Sequence, residues 1–358
     1  MKRIILLAII ALTFNSAMAQ LKFVDATELG IHGYTQKTDK SPYFRFDHTP
    51  YEGFNKTIIN YSKYPSGLYI VFKTNSSQIS ASWENVPKRM GDNMSGISQQ
   101  GLDLYIKDNG KWHFAAVGRV STLPNNNSRT KSLIKNLADG EKECLLYLPG
   151  WCELTKLEIG VDKGATIEGL PKPFKHKVIV HGSSITHGAS ASRPAMNYPA
   201  LLSRNLGIDF VNFGFSGQCK MQPQFLEFLK RCEADAFVFD AFSNPSEKEI
   251  KERLNNFVDE LVKAHPGKPL IFIQSPIDQD SYFNTKKYAE RMSLTKTAAE
   301  MMKALSKKHK DVYFLAVPNV LGTDATIDNS HPTDLGFDRF LKAYQPKIAK
   351  ILKKYGIK

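Results

Sequence analysis

The segment HGSSITHG, residues 181–188, places two adjacent serines in a turn of small residues between two histidines. A serine hydroxyl at a strand end can act as a nucleophile when a histidine takes its proton. The segment lacks the Gly-Lys-Ser/Thr of a phosphate loop, and Thr186 stands where a Gly-x-Ser-x-Gly elbow needs its second glycine. His181 and His187 have no partners at metal-ligand spacing, so no metal site is predicted.

A candidate base for such a serine lies far along the chain, in the sequence DNSH of residues 328–331. Of nine histidines, only His331 has an acidic residue three positions before it. In a turn, this spacing lets the Asp328 carboxylate accept a hydrogen bond from the imidazole Nδ1, which leaves Nε2 free as a base. Because Asp-x-x-His also arises by chance, the assignment of this pair as a base and its carboxylate needs support from the rest of the sequence.

The second half of the chain predicts a scaffold that brings these distant segments together. Five apolar strands alternate with helices, and this pattern is typical of a doubly wound, parallel five-stranded α/β sheet. The strands are expected at 178–181, 210–213, 236–239, 270–273 and 312–317, and the helices at 197–206, 223–232, 246–264, 285–309 and from about Thr333. Ligands bind beyond the carboxyl ends of such strands, so the residues that follow each strand are the candidates for a site.

Four of the five strands are followed by residues that can take part in chemistry. Ser184 follows the first strand, Gly217 the second and Asn244 the third, while Asp328 and His331 follow the fifth. Glycine lets the backbone approach a ligand, and an amide can donate into the crevice, although each residue is ordinarily a turn or helix cap. Taken together, all five residues are expected at one edge of one sheet.

This order of blocks resembles the SGNH (GDSL-type) hydrolase superfamily, over roughly the second half of the chain. Gly182-Ser183-Ser184 matches the Gly-Asp-Ser block, with Ser183 in place of the aspartate. The last block continues as HPTDLGFDRF, residues 331–340, which is also typical of the family. The resemblance implies a flavodoxin-like SGNH hydrolase domain at residues 171–358.

The resemblance implies roles for five residues. The catalytic residues are Ser184 as nucleophile, His331 as base and Asp328 as the carboxylate that orients the base. The oxyanion hole consists of the backbone N–H groups of Ser184 and Gly217 and the side chain of Asn244. The sequence FSNP around Asn244 departs from the family's Gly-x-Asn-Asp. The implied reaction uses neither a cofactor nor a metal.

Residues 20–170 predict an all-β, jelly-roll-like antiparallel sandwich. Residues 101–117 alternate in polarity on both sides of Asp-Asn-Gly, which indicates a hairpin. The motif GLDLY, residues 101–105, resembles the N-terminal domain that precedes one exported branch of these esterases, which is associated with glycan deacylation. The stretch EGLPKPFKHK, residues 168–177, predicts the interdomain connection. Three tryptophans in the sandwich can fill its core or stack on sugar rings: Trp83, Trp112 and Trp151.

Residues 1–19 are typical of a signal peptide that is cut after Ala19. They combine a basic start, an apolar core and a final Ala-x-Ala. We therefore expect an exported protein, periplasmic or extracellular. No membrane span is expected, because no later segment reaches the roughly 18 apolar residues that a span needs.

Charge and cysteine content place further bounds on function. The formal net charge is +13, and many of the lysines are expected on the solvated faces of the last helices. The sequence contains no nucleic-acid-binding motif, so the charge does not by itself indicate a nucleic-acid partner. Cys219 and Cys232 flank a helix and are too far apart to pair. Cys144 and Cys152 can meet across a turn, which leaves their pairing open.

The resemblance implies a serine esterase for short-chain acyl esters, most simply O-acetyl groups on carbohydrates. The same site could serve a lipid or thioester hydrolase or an acyltransferase. A glycan-binding protein with an inactive hydrolase domain is the third alternative. The expected partner is an acylated small molecule or glycan rather than a nucleic acid, and the oligomeric state is open.

Overall fold

The structure is a computed structural model, and it describes residues 20–120 and 128–358. The predicted signal peptide, residues 1–19, lies outside the described residues. The strands of the N-terminal domain are β1 (Leu21–Asp25), β2 (Ile31–His32), β3 (Tyr69–Thr74), β4 (Ile79–Asn85), β5 (Leu102–Asp108), β6 (Lys111–Gly118), β7 (Ser128–Ile134), β8 (Lys142–Tyr147), β9 (Leu154–Asp162) and β10 (Ile167–Gly169).

Two antiparallel sheets make up this domain. One has the strand order β1-β9-β4-β7, and the other has the order β10-β3-β8-β5-β6 with β2 beside β3. Successive side chains of a strand point to opposite faces, so alternating apolar residues from both sheets meet in one core around the buried Trp83. The predicted sandwich is confirmed, and three short helices accompany it: α1 (Ala26–Leu29), α2 (Lys56–Ser62) and α3 (Gly96–Gln100).

The predicted hairpin joins β5 to β6. The two strands pair in antiparallel register, with Asp108 opposite Lys111. Asn109 and Gly110 have φ values of 47° and 77°. A two-residue loop of this kind needs the left-handed backbone at both positions, which is why Asn-Gly occurs there.

The second domain contains one parallel sheet. Its strands are β11 (Lys175–Gly182), β12 (Ile208–Gly214), β13 (Ala236–Asp240), β14 (Leu270–Ile273) and β15 (Val312–Leu315). Their order is β12-β11-β13-β14-β15, and all neighbouring pairs are parallel. This is the flavodoxin-like order, in which the first strand lies between the second and the third. The predicted five-stranded sheet is therefore confirmed.

Helices cover both faces of this sheet. They are α4 (Ser184–His187), α5 (Tyr198–Leu206), α6 (Pro223–Lys230), α7 (Glu247–Ala264), α8 (Thr285–Lys308) and α9 (Asp334–Lys354). Helices α6, α7 and α8 pack over one apolar cluster, and α5 and α9 pack over a second cluster on the opposite face. The strands are mostly apolar because helices cover both faces of the sheet. Within residues 20–120 and 128–358, no helix is long and apolar enough to cross a membrane.

Burial decides the outcome for the tryptophans and cysteines. Trp83 and Trp151 are buried, whereas Trp112 is half-buried on β6. All four cysteines are buried free thiols, so Cys144 and Cys152 do not pair. Burial raises the pKa of both of these thiols to about 12, and they therefore stay protonated at neutral pH.

The GLDLY motif joins the two domains. Asp103 in β5 is fully buried, and its carboxylate accepts hydrogen bonds from Arg193 Nη1 at 3.0 and 2.9 Å and from Ala195 N at 3.0 Å. Arg193 also donates to the Tyr105 hydroxyl at 2.6 Å. Burial raises the pKa of Asp103, and the charge of Arg193 opposes that rise. The motif thus holds the segment that follows α4 against the N-terminal domain.

Replacing Asp103 with alanine should lower the free energy of unfolding by about 3–5 kcal/mol, because it leaves Arg193 without its buried partner. Urea unfolding followed by tryptophan fluorescence measures the change. Asp139→Ala, which removes an exposed carboxylate of the same domain, is the matched control and should cost less than about 0.5 kcal/mol. Equal unfolding midpoints for the two variants would contradict the role assigned to Asp103.

Candidate active site

The serine turn, residues 182–187, begins where β11 ends. Ser183 caps α4, and its Oγ accepts a hydrogen bond from Ile185 N at 3.1 Å. Ser184 is the first residue of this helix. A side chain on Gly182 would place its Cβ 1.9 Å from Thr186 Oγ1, so only glycine fits beneath the turn.

Ser184 is connected to His331 and Asp328 through two short hydrogen bonds. Ser184 Oγ lies 2.8 Å from His331 Nε2, and Asp328 Oδ2 lies 2.7 Å from His331 Nδ1. With a carboxylate on Nδ1, the neutral imidazole carries its proton there, and Nε2 can accept the proton of the serine hydroxyl. The structure therefore brings these three predicted residues together in the geometry that proton transfer requires.

The turn from Asp328 to His331 accounts for their three-residue spacing. Asp328 Oδ1 accepts hydrogen bonds from His331 N at 2.9 Å and from Ser330 N at 3.3 Å. Its other oxygen, Oδ2, receives His331 Nδ1 and also Asn93 Nδ2, at 2.7 Å. Burial works to raise the pKa of Asp328, but the hydrogen bonds from Asn93 and His331 outweigh it and lower the pKa to about 2. The carboxylate is therefore ionised at neutral pH.

The predicted oxyanion-hole residues line the same cleft as Ser184 and His331. Gly217 has a φ of 69°, a left-handed backbone that favours glycine. Asn244 Oδ1 accepts a hydrogen bond from Cys219 N at 3.2 Å, which leaves the Nδ2 group for the cleft. Within the described part of the chain, neither Ser184 N nor Gly217 N donates to an acceptor. These three donor groups are thus available to a substrate oxygen.

The cleft extends to both sides of His331. On one side, a space of about 320 Å³ reaches the ion pair between Asp278 and Arg291, whose Oδ2 and Nε atoms are 2.8 Å apart. On the other side, a space of about 400 Å³ is walled by the N-terminal domain, including Tyr61 and Lys88. Residues from both domains therefore line the cleft.

A buried carboxylate that sequence reasoning missed supports the serine turn. Asp240, the last residue of β13, accepts hydrogen bonds from Ser183 Oγ at 2.5 Å and from Ser183 N at 3.3 Å. Burial raises its pKa, and these hydrogen bonds oppose the rise. The family motif has an aspartate at position 183, where this chain has serine. The Asp240 carboxylate, which comes from the neighbouring strand β13, therefore takes the place of the missing carboxylate beside the turn. The sequence signal for Asp240 was its position as a single aspartate at the end of the apolar run FVFD, residues 237–240.

Neither His181 nor His187 hydrogen-bonds to Ser184 through its ring. His181 Nδ1 lies 3.0 Å from Phe213 O, and His187 Nε2 lies 3.0 Å from Gly150 O. The ring of His187 stacks on Trp151 with a centroid separation of 3.7 Å. Burial lowers the pKa of His181 to about 4 and that of His187 well below its ordinary value, so both are neutral. In the part of the chain that the structure describes, no group of three His, Cys, Asp or Glu side chains could hold a metal ion.

Both halves of the chain match known protein families. Residues 175–349 match the GDSL-like lipase/acylhydrolase family, and residues 21–167 match the N-terminal domain of SGNH-hydrolase-type esterases. The crystal structure of a protein classed as a GDSL-like lipase from Bacteroides ovatus ATCC 8483 is 44% identical, with a TM-score of 0.89 over 93% of this chain and 98% of that one. The chain therefore belongs to the GDSL-like lipase/acylhydrolase family.

Two more distant structures share the fold. The salicylyl-acyltransferase SsfX3 from a tetracycline biosynthetic pathway is 20% identical, with a TM-score of 0.71 over 92% of this chain and 97% of that one. A family two carbohydrate esterase from Cellvibrio japonicus is 14% identical, with a TM-score of 0.60 over 93% of this chain and 98% of that one. Comparison with curated proteins gave no match.

Proposed function

We propose that this protein is a serine esterase that hydrolyses short-chain acyl esters, O-acetyl groups above all, on carbohydrate substrates. The observation that carries the proposal is the hydrogen-bonded series Ser184–His331–Asp328, with distances of 2.8 and 2.7 Å. A serine hydroxyl is a weak nucleophile unless a positioned base takes its proton, and this series supplies that base. The intact series also argues against a glycan-binding protein with an inactive hydrolase domain.

The reaction proceeds through an acyl-enzyme. Ser184 Oγ attacks the ester carbonyl carbon while His331 Nε2 takes the hydroxyl proton, and Asp328 stabilises the imidazolium. The oxyanion accepts hydrogen bonds from the N–H groups of Ser184 and Gly217 and from Asn244 Nδ2, each worth about 10²–10³ in rate. The alcohol leaves with the proton from His331. A water molecule, deprotonated by His331, then releases the acid and restores the serine.

The chemistry of the cleft supports a short acyl group and a polar alcohol. The space beside the three oxyanion donors is lined by Asp278 and Arg291, and a long alkyl chain would strip water from this ion pair without replacing its hydration. Hydroxyl-rich substrates can instead hydrogen-bond to such groups. The carbohydrate esterase from Cellvibrio japonicus has the same fold, which fits this choice of substrate.

A second candidate function is supported by an apolar groove next to the cleft. This groove, of about 480 Å³, shares Asp278 with the cleft, and its other walls include Ile277, Tyr282, Tyr288 and Met292. Such a surface suits an alkyl or aromatic acyl group, and the salicylyl-acyltransferase of the same fold handles an aromatic one. Hydrolysis of lipid esters or thioesters, or acyl transfer, is therefore the alternative.

Replacing Ser184 with alanine should lower the turnover of p-nitrophenyl acetate by at least about 10³-fold, because the nucleophile is lost. A fluorophosphonate probe should label the wild type and leave Ser184→Ala unlabelled. Ser183→Ala is the matched control: it removes a donor to Asp240 and should cost stability, but it keeps the labelled hydroxyl. Near wild-type turnover in Ser184→Ala would refute the proposed mechanism.

A series of p-nitrophenyl esters from acetate through butyrate to octanoate separates the two candidate functions. If the short-chain proposal holds, kcat/KM falls along the series, and Tyr288→Ser leaves the acetate value unchanged. If the apolar groove binds the acyl group, kcat/KM rises along the series, and Tyr288→Ser lowers the octanoate value selectively. Measuring acetate released from acetylated glycans then identifies the sugar.

We also infer that the protein is exported and that its signal peptide is removed after Ala19. The basic start and the final Ala-x-Ala of residues 1–19 support this inference. Mass spectrometry of the protein recovered outside the cytoplasm of expressing cells should give a chain that begins at Gln20. Recovery only of chains that still begin with Met1 would overturn it.

A further inference from the structure

Asn93 connects the N-terminal domain to the carboxylate of Asp328. Its Nδ2 group donates to Asp328 Oδ2 at 2.7 Å, across 235 positions of sequence. This oxygen also receives His331 Nδ1, at 2.7 Å. The hydrogen bond to Asp328 is the one polar contact that the Asn93 side chain makes with the described residues. The side chain therefore serves the catalytic carboxylate rather than its own loop.

The loop that carries Asn93 is held in place through its backbone and its neighbours. Gln99, which is buried, donates from Nε2 to Gly91 O and to Met94 O, both at 3.1 Å, and its Oε1 accepts from Gly91 N at 2.7 Å. These contacts fix both ends of the loop. A donor on a fixed loop loses little conformational entropy when it holds its acceptor.

Two further hydrogen bonds dock this loop onto the segment that follows the serine turn. Ser190 Oγ donates to Asn93 O at 2.9 Å, and Ser95 Oγ donates to Ser192 O at 2.6 Å. Both bonds cross between the domains. They fix the distance from the loop to the hydrolase domain, and with it the reach of the Asn93 amide.

The Asp328 carboxylate is exposed enough that a hydrogen bond from Asn93 affects its orientation. The side chain of Asp328 is 33% exposed, and it lies on a surface turn rather than in the sheet. Water can compete for its oxygens and let the group rotate away from His331. A donor fixed on Oδ2 opposes this rotation, because all of the hydrogen bonds to the carboxylate are then satisfied in a single orientation.

We propose that Asn93 is a positioning residue of the active site, which holds Asp328 toward His331 and makes catalysis depend on the docking of the two domains. The proposal rests on the proposed esterase function. It assigns to the N-terminal domain a part in turnover that is separate from any contact with the substrate.

Asn93→Ala tests the proposal in the full-length protein with p-nitrophenyl acetate. We expect kcat to fall by about 10- to 100-fold, the factor for losing one hydrogen bond to a charged group, with KM unchanged within about two-fold. The melting temperature should fall by only a few degrees, because one hydrogen bond on an exposed turn is lost and the side chain makes no other hydrogen bond with the described residues. Asn60→Ala, an exposed asparagine on α2, is the matched control and should retain wild-type kcat.

Asn93→Asp adds a readout that a merely structural role would not move. Two facing carboxylates cannot easily both ionise, so the pKa of one of them is raised, and at the acid end of an assay series from about pH 5 to about pH 8 the new acid can hold a proton and donate to Asp328. Toward the alkaline end both are increasingly charged and repel each other. The ratio of kcat for Asn93→Asp to kcat for the wild type should therefore fall several-fold as the pH rises. The other titratable or charged groups that face this pair, which are His331, Lys88, Arg89 and Asp92, are the same in both proteins, so the ratio to the wild type isolates the effect of residue 93.

The outcomes separate this proposal from the proposed function. Ser184→Ala is measured in the same assay, and if it stays active, the esterase mechanism itself fails. If Ser184→Ala is inactive while Asn93→Ala keeps wild-type kcat, only the role of Asn93 is overturned. A pH-independent ratio for Asn93→Asp would also overturn it.

Discussion

Parallel strands of one sheet all end at the same edge, and the candidate site of this protein depends on that constraint. Gly182 at the end of β11 pairs with Gly214 of β12 on one side and with Asp240 of β13 on the other. Once these three ends are level, the residues that follow them must be neighbours. Ser184, Gly217 and Asn244 therefore line one cleft, although no local sequence pattern relates these three residues to each other.

The histidine reaches the site in a different way. His331 follows β15, at the far edge of the sheet, and β14 and β13 lie between β15 and β11. The chain must therefore cross the top of the sheet before α9 begins. Its turn is closed by the bond from Ile327 N to His331 O at 3.1 Å and by the Asp328 carboxylate, so the imidazole arrives already oriented. Proline and α9 follow immediately, which limits how far the turn can move.

Buried polar groups stabilise the strand ends around the serine turn. Arg45 of the N-terminal domain is almost wholly buried and donates to Gly214 O at 2.9 Å and to Tyr61 O at 2.6 Å. Burial lowers its pKa to about 9, and its guanidinium lies 4.7 Å from the centre of the Phe215 ring. Together with Asp240 and Asp103, it ties the sheet edge to its surroundings through hydrogen bonds that are costly to break in a dry interior. The two domains consequently share one polar framework.

Local patterns in the sequence predicted the five parallel strands, the five long helices around them and the hairpin, whereas the roles of the five site residues came from the resemblance to a known family. Periodicity of two or 3.6 residues follows from backbone geometry, and the Asp328–His331 spacing closes a turn by itself, so each is readable from a short segment. Asp240 was missed because an aspartate at a strand end has several ordinary roles. Asn93, Arg45 and the partners of the GLDLY motif were decided only by the tertiary structure. Their contacts depend on sheet register and on the docking of two domains, and such contacts between distant residues leave no local pattern in the chain.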